Sequence, residues 1–173
     1  ALKPASAQAH YNLGVALTSQ GRLTEAIASY EQALSLDPSS ADARNNLGAV
    51  FLQENRLEEA RACFEQALAI RPNEPEAHNN LGNALRGQAK LDEAIASYQR
   101  ALSLAPGYPE AHNNLGAALE DQDKLEEAAA SFRRAIALKP AFAQGHYNLG
   151  AALKNQGRLT EAMASYEQAL RLD

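Results

Sequence analysis

The feature that most constrains the fold is a repeat of 34 residues that runs through the whole chain. One column of the repeat holds Pro4, Pro38, Pro72, Pro106 and Pro140, and others hold Leu13, Leu47, Leu81, Leu115 and Leu149, or Gly14, Gly48, Gly82, Gly116 and Gly150. A period of this length is typical of helical solenoids, in which each repeat buries its apolar face against its neighbours. The sequence therefore predicts one all-α domain, an α-solenoid of five helix-turn-helix repeats, at about residues 5–38, 39–72, 73–106, 107–140 and 141–173.

Each repeat has the apolar spacing of two amphipathic helices. Leu13 and Leu17 mark the buried face of the first helix, and Leu23, Ile27 and Tyr30 mark that of the second. The turn between them falls on residue types that tolerate a left-handed conformation, except in the third repeat, where strain is expected at Ala89. The other turns hold Gly21, Asn55, Asp123 and Gly157.

A small residue on the first helix pairs with an aromatic residue on the second. Each glycine of the repeated column removes a side chain where two helix backbones approach, so an aromatic ring is expected to fill the space beside it. The aromatic column holds Tyr30, Phe64, Tyr98, Phe132 and Tyr166.

Asparagine recurs at one position of the first helix, although its short amide competes with the helical backbone for hydrogen bonds. These residues lie on a stripe distinct from the leucine and glycine core, and stacking with a constant twist would place that stripe on a concave inner wall. An amide both donates and accepts, so a row of them can hold the backbone of an extended peptide of any sequence. The predicted peptide-binding residues are Asn12, Asn46, Asn80, Asn114 and Asn148, with Asn45, Asn79, Asn113, Asn83, Asp42, Glu76 and Glu110 around them.

A structural role for the asparagines is the alternative. In that interpretation each amide bridges neighbouring helices and fixes the stacking angle, and the two roles can coexist. The columns that border the predicted groove contain no Lys or Arg, which disfavours acidic C-terminal tails and favours neutral or basic peptides.

The leucine-glycine pair, the two alanines, the aromatic residue and the proline resemble the tetratricopeptide repeat along essentially the whole chain. The chain departs from that family at His10, His78, His112, His146 and Arg44, where the family often has an aromatic residue. The repeated asparagine resembles the superhelical arrays of O-linked N-acetylglucosamine transferases and their bacterial relatives. This resemblance implies a right-handed superhelix whose asparagine ladder holds polypeptide substrates.

Three functions follow from the sequence and the resemblance. The first is a peptide-binding module with no chemistry of its own, the second is a substrate-recruiting arm of a larger glycosyltransferase, and the third is a self-stacking structural scaffold. The repeat register suggests a piece of a longer array, in which uncapped ends would favour end-to-end association between copies.

Composition and spacing argue against other classes of protein. A net charge of −5 disfavours nucleic-acid binding, and the longest apolar runs are far shorter than the roughly 18 residues that span a membrane. Histidines one repeat apart should lie about 10 Å from each other, too far for one metal ion. No nucleotide-binding loop is present, so no cofactor and no enzymatic activity are expected, and the sole cysteine, Cys63, replaces serine as a structural filler. A cytoplasmic location is the default expectation.

Overall fold

The computed structural model describes residues 6–172, in which ten α-helices and no strands occur. Every 34-residue repeat contributes a first helix of 13 residues and a second of 14, which confirms the all-α solenoid predicted from the period. The helices are α1 (Ala7–Ser19), α2 (Leu23–Leu36), α3 (Ala41–Gln53), α4 (Leu57–Ile70), α5 (Pro75–Gly87), α6 (Leu91–Leu104), α7 (Pro109–Asp121), α8 (Leu125–Leu138), α9 (Ala143–Asn155) and α10 (Leu159–Leu172).

The chain forms two compact units, Ala1–Gln88 and Ala89–Asp173, with their boundary in the turn of the third repeat. In the first unit, α2 packs against α1 and α3, and α4 packs against α3 and α5. In the second unit, α7 packs against α6 and α8, and α9 packs against α8 and α10. Thus α2, α4 and α8 each pack between the first helix of their own repeat and the first helix of the next one, as stacking of helix pairs requires.

Local sequence signals set the helix ends. The side chains of Ser6 and Ser40 accept hydrogen bonds from the backbone N–H groups of Ala9 (3.1 Å) and Ala43 (3.2 Å), and so cap α1 and α3. In α5 and α7 a proline occupies the start of the helix, where its missing N–H costs nothing.

The turn residues between paired helices adopt the predicted left-handed backbone. The φ angle is 58° at Asn55, 61° at Asp123 and 59° at Ala89, and both turn glycines are also positive. In the left-handed region, the Cβ atom of alanine has a steric cost, and alanine lacks the polar side chain with which Asn and Asp form local hydrogen bonds. The predicted irregularity at Ala89 is therefore confirmed.

In the first, second, fourth and fifth repeats, the glycine of the first helix faces the aromatic ring of the second, as the sequence predicted. A Cβ atom built on Gly48 would lie 2.7 Å from Phe64 Cε1, and one on Gly116 would lie 2.7 Å from Phe132 Cε1. Both rings are completely buried, and Phe64 packs in a cluster with Val50 and other apolar residues. The absent side chain therefore sets the close approach of the two helices in a repeat.

Candidate functional site

The first helices form an inner row within each unit. Successive first helices contact one another, α1 with α3 and α3 with α5 in the first unit, and α7 with α9 in the second. Within the described residues of each unit, the second helices make no such contact, for example α2 with α4. Because the first helices lie closer together, they form the inner side of each stack, where the sequence placed the asparagine stripe.

Three asparagines of the predicted ladder donate hydrogen bonds to the preceding repeat. The Nδ2 atom of Asn80 donates to Asn45 Oδ1 at 3.2 Å, and that of Asn148 donates to Asn113 Oδ1 at 2.9 Å. In the first junction, Asn46 Nδ2 donates to the hydroxyl of Tyr11 at 3.1 Å. The same polar bridge thus recurs at three junctions between successive first helices, and in each it links an asparagine to the residue 35 positions earlier.

The predicted site residues differ in exposure. Asn12 is exposed and accepts a hydrogen bond from Gln8 Nε2 at 2.9 Å, whereas the other four ladder asparagines and Asn83 are half-buried. The neighbouring Asn45, Asn79 and Asn113 are 9%, 4% and 7% exposed. Because these three side chains expose so little surface, they are better placed to position the ladder asparagines than to contact a ligand.

The acidic residues of the predicted site have partners that the sequence did not reveal. Asp42 forms an ion pair with Arg71, and Glu110 accepts a hydrogen bond from Lys139 Nζ at 3.0 Å. Burial raises the pKa of Glu110, but the hydrogen bond and charge of Lys139 outweigh this effect and leave the pKa below its usual value. Glu76 accepts from Asn45 Nδ2 at 3.2 Å.

Arg71 and Lys139 were missed because each lies just after a second helix, in a column whose residue type and charge vary between repeats. That column reads Asp37, Arg71, Ala105, Lys139 and Asp173. In the first unit, Arg71 also lines a pocket of about 200 Å³ together with Asp42, Asn45 and Glu76. The positive charge of Arg71 therefore lies at the edge of the inner row, although the first helices place no Lys or Arg at that edge.

A second pocket opens on the inner row between α1 and α3. It has a volume of about 250 Å³, and Val15, Asn46 and Ala49 line it above the ring of Tyr30. Val15 is 41% exposed, so the pocket has an accessible apolar wall beside the ladder amide. The site thus combines a polar group able to bind peptide backbone with space for a side chain.

Three histidines contact the backbone of the loops that precede their helices. The Nε2 atoms of His78, His112 and His146 lie 2.9, 3.0 and 3.1 Å from the carbonyl oxygens of Pro72, Pro106 and Pro140. In the second repeat, Arg44 donates to the equivalent carbonyl of Pro38. No cluster of metal-ligating side chains occurs within residues 6–172.

Cys63 is half-buried in α4, and burial raises the pKa of its thiol to about 11. Its structural equivalent Ser29 uses its hydroxyl to hydrogen-bond the backbone carbonyl of Glu25 at 2.9 Å. A thiol with this pKa is almost fully protonated at neutral pH, which suits the structural filler predicted from the sequence. In the part of the chain that the structure describes, no helix is long and apolar enough to cross a membrane.

This stack of helix pairs, joined by a repeated polar bridge, defines a helical-repeat scaffold. Tetratricopeptide repeat profiles match residues 17–84, 82–123, 121–157 and 143–173. The chain belongs to the tetratricopeptide repeat family. Curated protein sequences gave no match.

Solved structures of other tetratricopeptide repeat proteins have the same fold. YrrB, described as a TPR protein with an unusual peptide-binding site, is 27% identical with a TM-score of 0.73 over 97% of this chain and 87% of its own. TTC0263, a thermophilic TPR protein of Thermus thermophilus, is 25% identical with a TM-score of 0.82 over 96% and 91%. PilF of Pseudomonas aeruginosa is 25% identical with a TM-score of 0.87 over 96% and 76%.

Proposed function

We propose that this chain is a protein-interaction module that binds extended peptides along its first helices, without chemistry of its own. The observation that carries this proposal is the open pocket between α1 and α3, where Asn46 lies beside the exposed Val15. The amide binds the peptide backbone, and the apolar wall receives a peptide side chain. The peptide-binding site of the similar protein YrrB supports this assignment.

The inter-repeat bonds are compatible with a ligand. A primary amide has two N–H groups and two acceptor positions, and donation to the preceding repeat uses one N–H. The same bond holds the amide in one orientation before a ligand arrives, which lowers the entropy lost on binding. The asparagines therefore both join repeats and present peptide-binding groups.

The charge of the row favours peptides with neutral side chains. Arg71 and Lys139 neutralise Asp42 and Glu110, so these carboxylates offer a basic peptide less attraction than the sequence alone suggested. We therefore revise the preferred ligand from neutral or basic segments to neutral ones. A role as the recruiting arm of a glycosyltransferase stays a prediction from the resemblance.

The first junction allows peptide binding and stacking to be separated. The hydroxyl of Tyr11 can donate as well as accept, so in Asn46→Asp it donates to the new carboxylate and the inter-repeat bond survives. The amide N–H groups needed by peptide carbonyls are lost. Affinity for neutral, unstructured peptides should fall by about 2- to 10-fold for each lost bond, and stability should hold.

Asn80→Asp is the matched control. Its partner is Asn45 Oδ1, an acceptor, so a carboxylate there loses the bond and the chain should be destabilised by about 1–3 kcal/mol. Fluorescence anisotropy with labelled peptides of unrelated sequence and urea denaturation measure both properties on each variant. Unchanged peptide affinity in folded Asn46→Asp would contradict a ligand-binding role for this amide.

The inter-repeat bonds themselves favour a second function, a purely structural scaffold in which the asparagines only lock the stack. On that hypothesis both variants bind peptides as the wild type does, and only Asn80→Asp loses stability. A replacement of the exposed Val15 by Arg provides an independent test, because it fills the pocket without touching an inter-repeat bond. It should weaken peptide binding only if the pocket is used.

A further inference from the structure

The pocket between α1 and α3 is lined by hydroxyl groups as well as by the ladder amide, namely those of Thr18, Ser19 and Tyr30. The adjacent pair on α1 has no counterpart in the other repeats. The equivalent positions there hold Leu52 and Gln53, Arg86 and Gly87, Glu120 and Asp121, and Lys154 and Asn155. The hydroxyl pair therefore gives the first junction a chemistry of its own.

The protons of these hydroxyl groups are already used inside the protein. Thr18 Oγ1 donates to the backbone carbonyl of Gly14 at 2.9 Å, and Ser19 Oγ donates to that of Ala16 at 2.7 Å. A hydroxyl has one proton, so the 3.3 Å contact between Thr18 Oγ1 and the Tyr30 hydroxyl is a donation from Tyr30. The hydroxyl oxygens of the pocket thus have lone pairs to offer and no proton to give.

Such a pocket suits a ligand side chain that donates hydrogen bonds and has no charge. The residues that line it are all uncharged, so a ligand ammonium or guanidinium group would lose water without meeting a carboxylate. A ligand carboxylate would face acceptor oxygens. A neutral side-chain amide instead brings two N–H donors, which the lone pairs of Thr18 and Ser19 can accept.

The apolar wall of the pocket sets the length of that side chain. Val15 is 41% exposed and lies one helical turn, about 5–6 Å, before Ser19 on the same face of α1. A side chain that covers Val15 and also reaches Ser19 needs an apolar stem in front of its amide. Glutamine has one methylene group more than asparagine and meets both requirements.

We propose that this pocket selects a glutamine side chain of the bound peptide, whose amide N–H groups donate to the hydroxyl oxygens of Thr18 and Ser19. This inference rests on the proposed function, because Asn46 beside the pocket holds the backbone from which the glutamine projects. The other junctions lack the hydroxyl pair and add backbone contacts without this preference.

Fluorescence anisotropy with labelled, unstructured peptides that differ at one central residue tests the proposal. The wild type should bind the glutamine peptide about 2- to 10-fold more tightly than its methionine counterpart, which has a similar shape and no N–H donor. The glutamate counterpart should bind more weakly than both. Ser19→Ala and Thr18→Val each remove one acceptor, so each should reduce the preference for glutamine over methionine, and the double variant should abolish it.

Ser35→Ala is the matched control. Ser35 Oγ donates to the backbone carbonyl of Gln32 at 2.8 Å on α2, outside the pocket, so this variant loses the same kind of bond and should keep the preference. Circular dichroism verifies that the variants are folded. Ser19 is exposed, so Ser19→Ala gives a clear result even if Thr18→Val, which removes the partner of Tyr30, loses stability.

The possible failures of the two proposals give different results. Equal wild-type affinity for the glutamine and methionine peptides would overturn the glutamine preference and leave the proposed function standing. A preference that survives the double variant, or that Ser35→Ala also removes, would overturn the assignment to Thr18 and Ser19. Absence of binding to all three peptides would overturn this inference together with the proposed function.

Discussion

Replacement of Gly48 by alanine tests whether the glycine column sets the distance between paired helices. The new Cβ atom would lie 2.7 Å from Phe64 Cε1 and 3.0 Å from Cδ1 and Cζ, whereas carbon atoms normally pack about 3.5–4.0 Å apart. The ring must therefore move by about 0.8 Å. Phe64 is completely buried, so this movement displaces its neighbours in the core.

The expected free-energy change is the balance of two effects. Overpacking a filled core costs about 1–3 kcal/mol, while alanine improves on glycine inside a helix by about 1 kcal/mol. The variant should thus lose about 0–2 kcal/mol of unfolding free energy. In a Phe64→Leu background the ring is gone, so the same replacement should gain up to about 1 kcal/mol.

Urea denaturation of the wild type, both single variants and the double variant gives the coupling energy, expected at about 1–3 kcal/mol. Gly87→Ala is the control, because there the new Cβ atom meets the ends of the flexible Leu57 side chain, at 2.9 and 3.0 Å. It should be neutral or stabilising. Additivity of Gly48→Ala and Phe64→Leu within about 0.5 kcal/mol would refute the steric argument.

Two further predictions concern single positions. Ala89→Gly should raise the unfolding free energy by about 1 kcal/mol in urea, because it relieves the positive φ of 59°; Asn55→Gly, at a residue that tolerates this conformation better, should change it less. Cys63, with its pKa raised from 9.0 to about 11, should react with iodoacetamide at pH 8 about 100-fold more slowly than an ordinary exposed thiol. Mass spectrometry of the native and urea-unfolded chain measures this difference, and equal rates would contradict it.

The sequence was sufficient to predict the helix pairs, because three independent signals agree within every repeat. Apolar spacing gives the buried faces, the glycine and aromatic columns give the close helix contact, and the turn residues give the left-handed connection. The exception at Ala89 was also visible. The repeat places a left-handed turn at this column, and alanine does not favour that backbone conformation.

The partners of the site residues were not predictable in the same way. Periodicity places Asn80 on the inner stripe, but whether its amide reaches Asn45 depends on how closely two first helices pack, which no local pattern specifies. Arg71 and Lys139 act from a column that varies between repeats, so they carry no periodic signal. The boundary between the two compact units falls at Ala89, whose irregular turn was visible in the sequence, but a division of the chain there was not predicted.

The recurrence of asparagine, a poor helix former, has an energetic explanation that does not require a ligand. Asparagine costs at most about 0.7 kcal/mol relative to alanine in a helix interior, and one net hydrogen bond contributes about 0.5–1.5 kcal/mol. The bridge from Asn80 to the buried Asn45 gives each amide one hydrogen-bond partner at a position where water has little access. Stability measurements on alanine variants thus report stacking whether or not a peptide binds. The first junction is different, because the hydroxyl of Tyr11 accepts from an amide and can instead donate to a carboxylate, so the proposed peptide binding by Asn46 can be tested there while the stack is preserved.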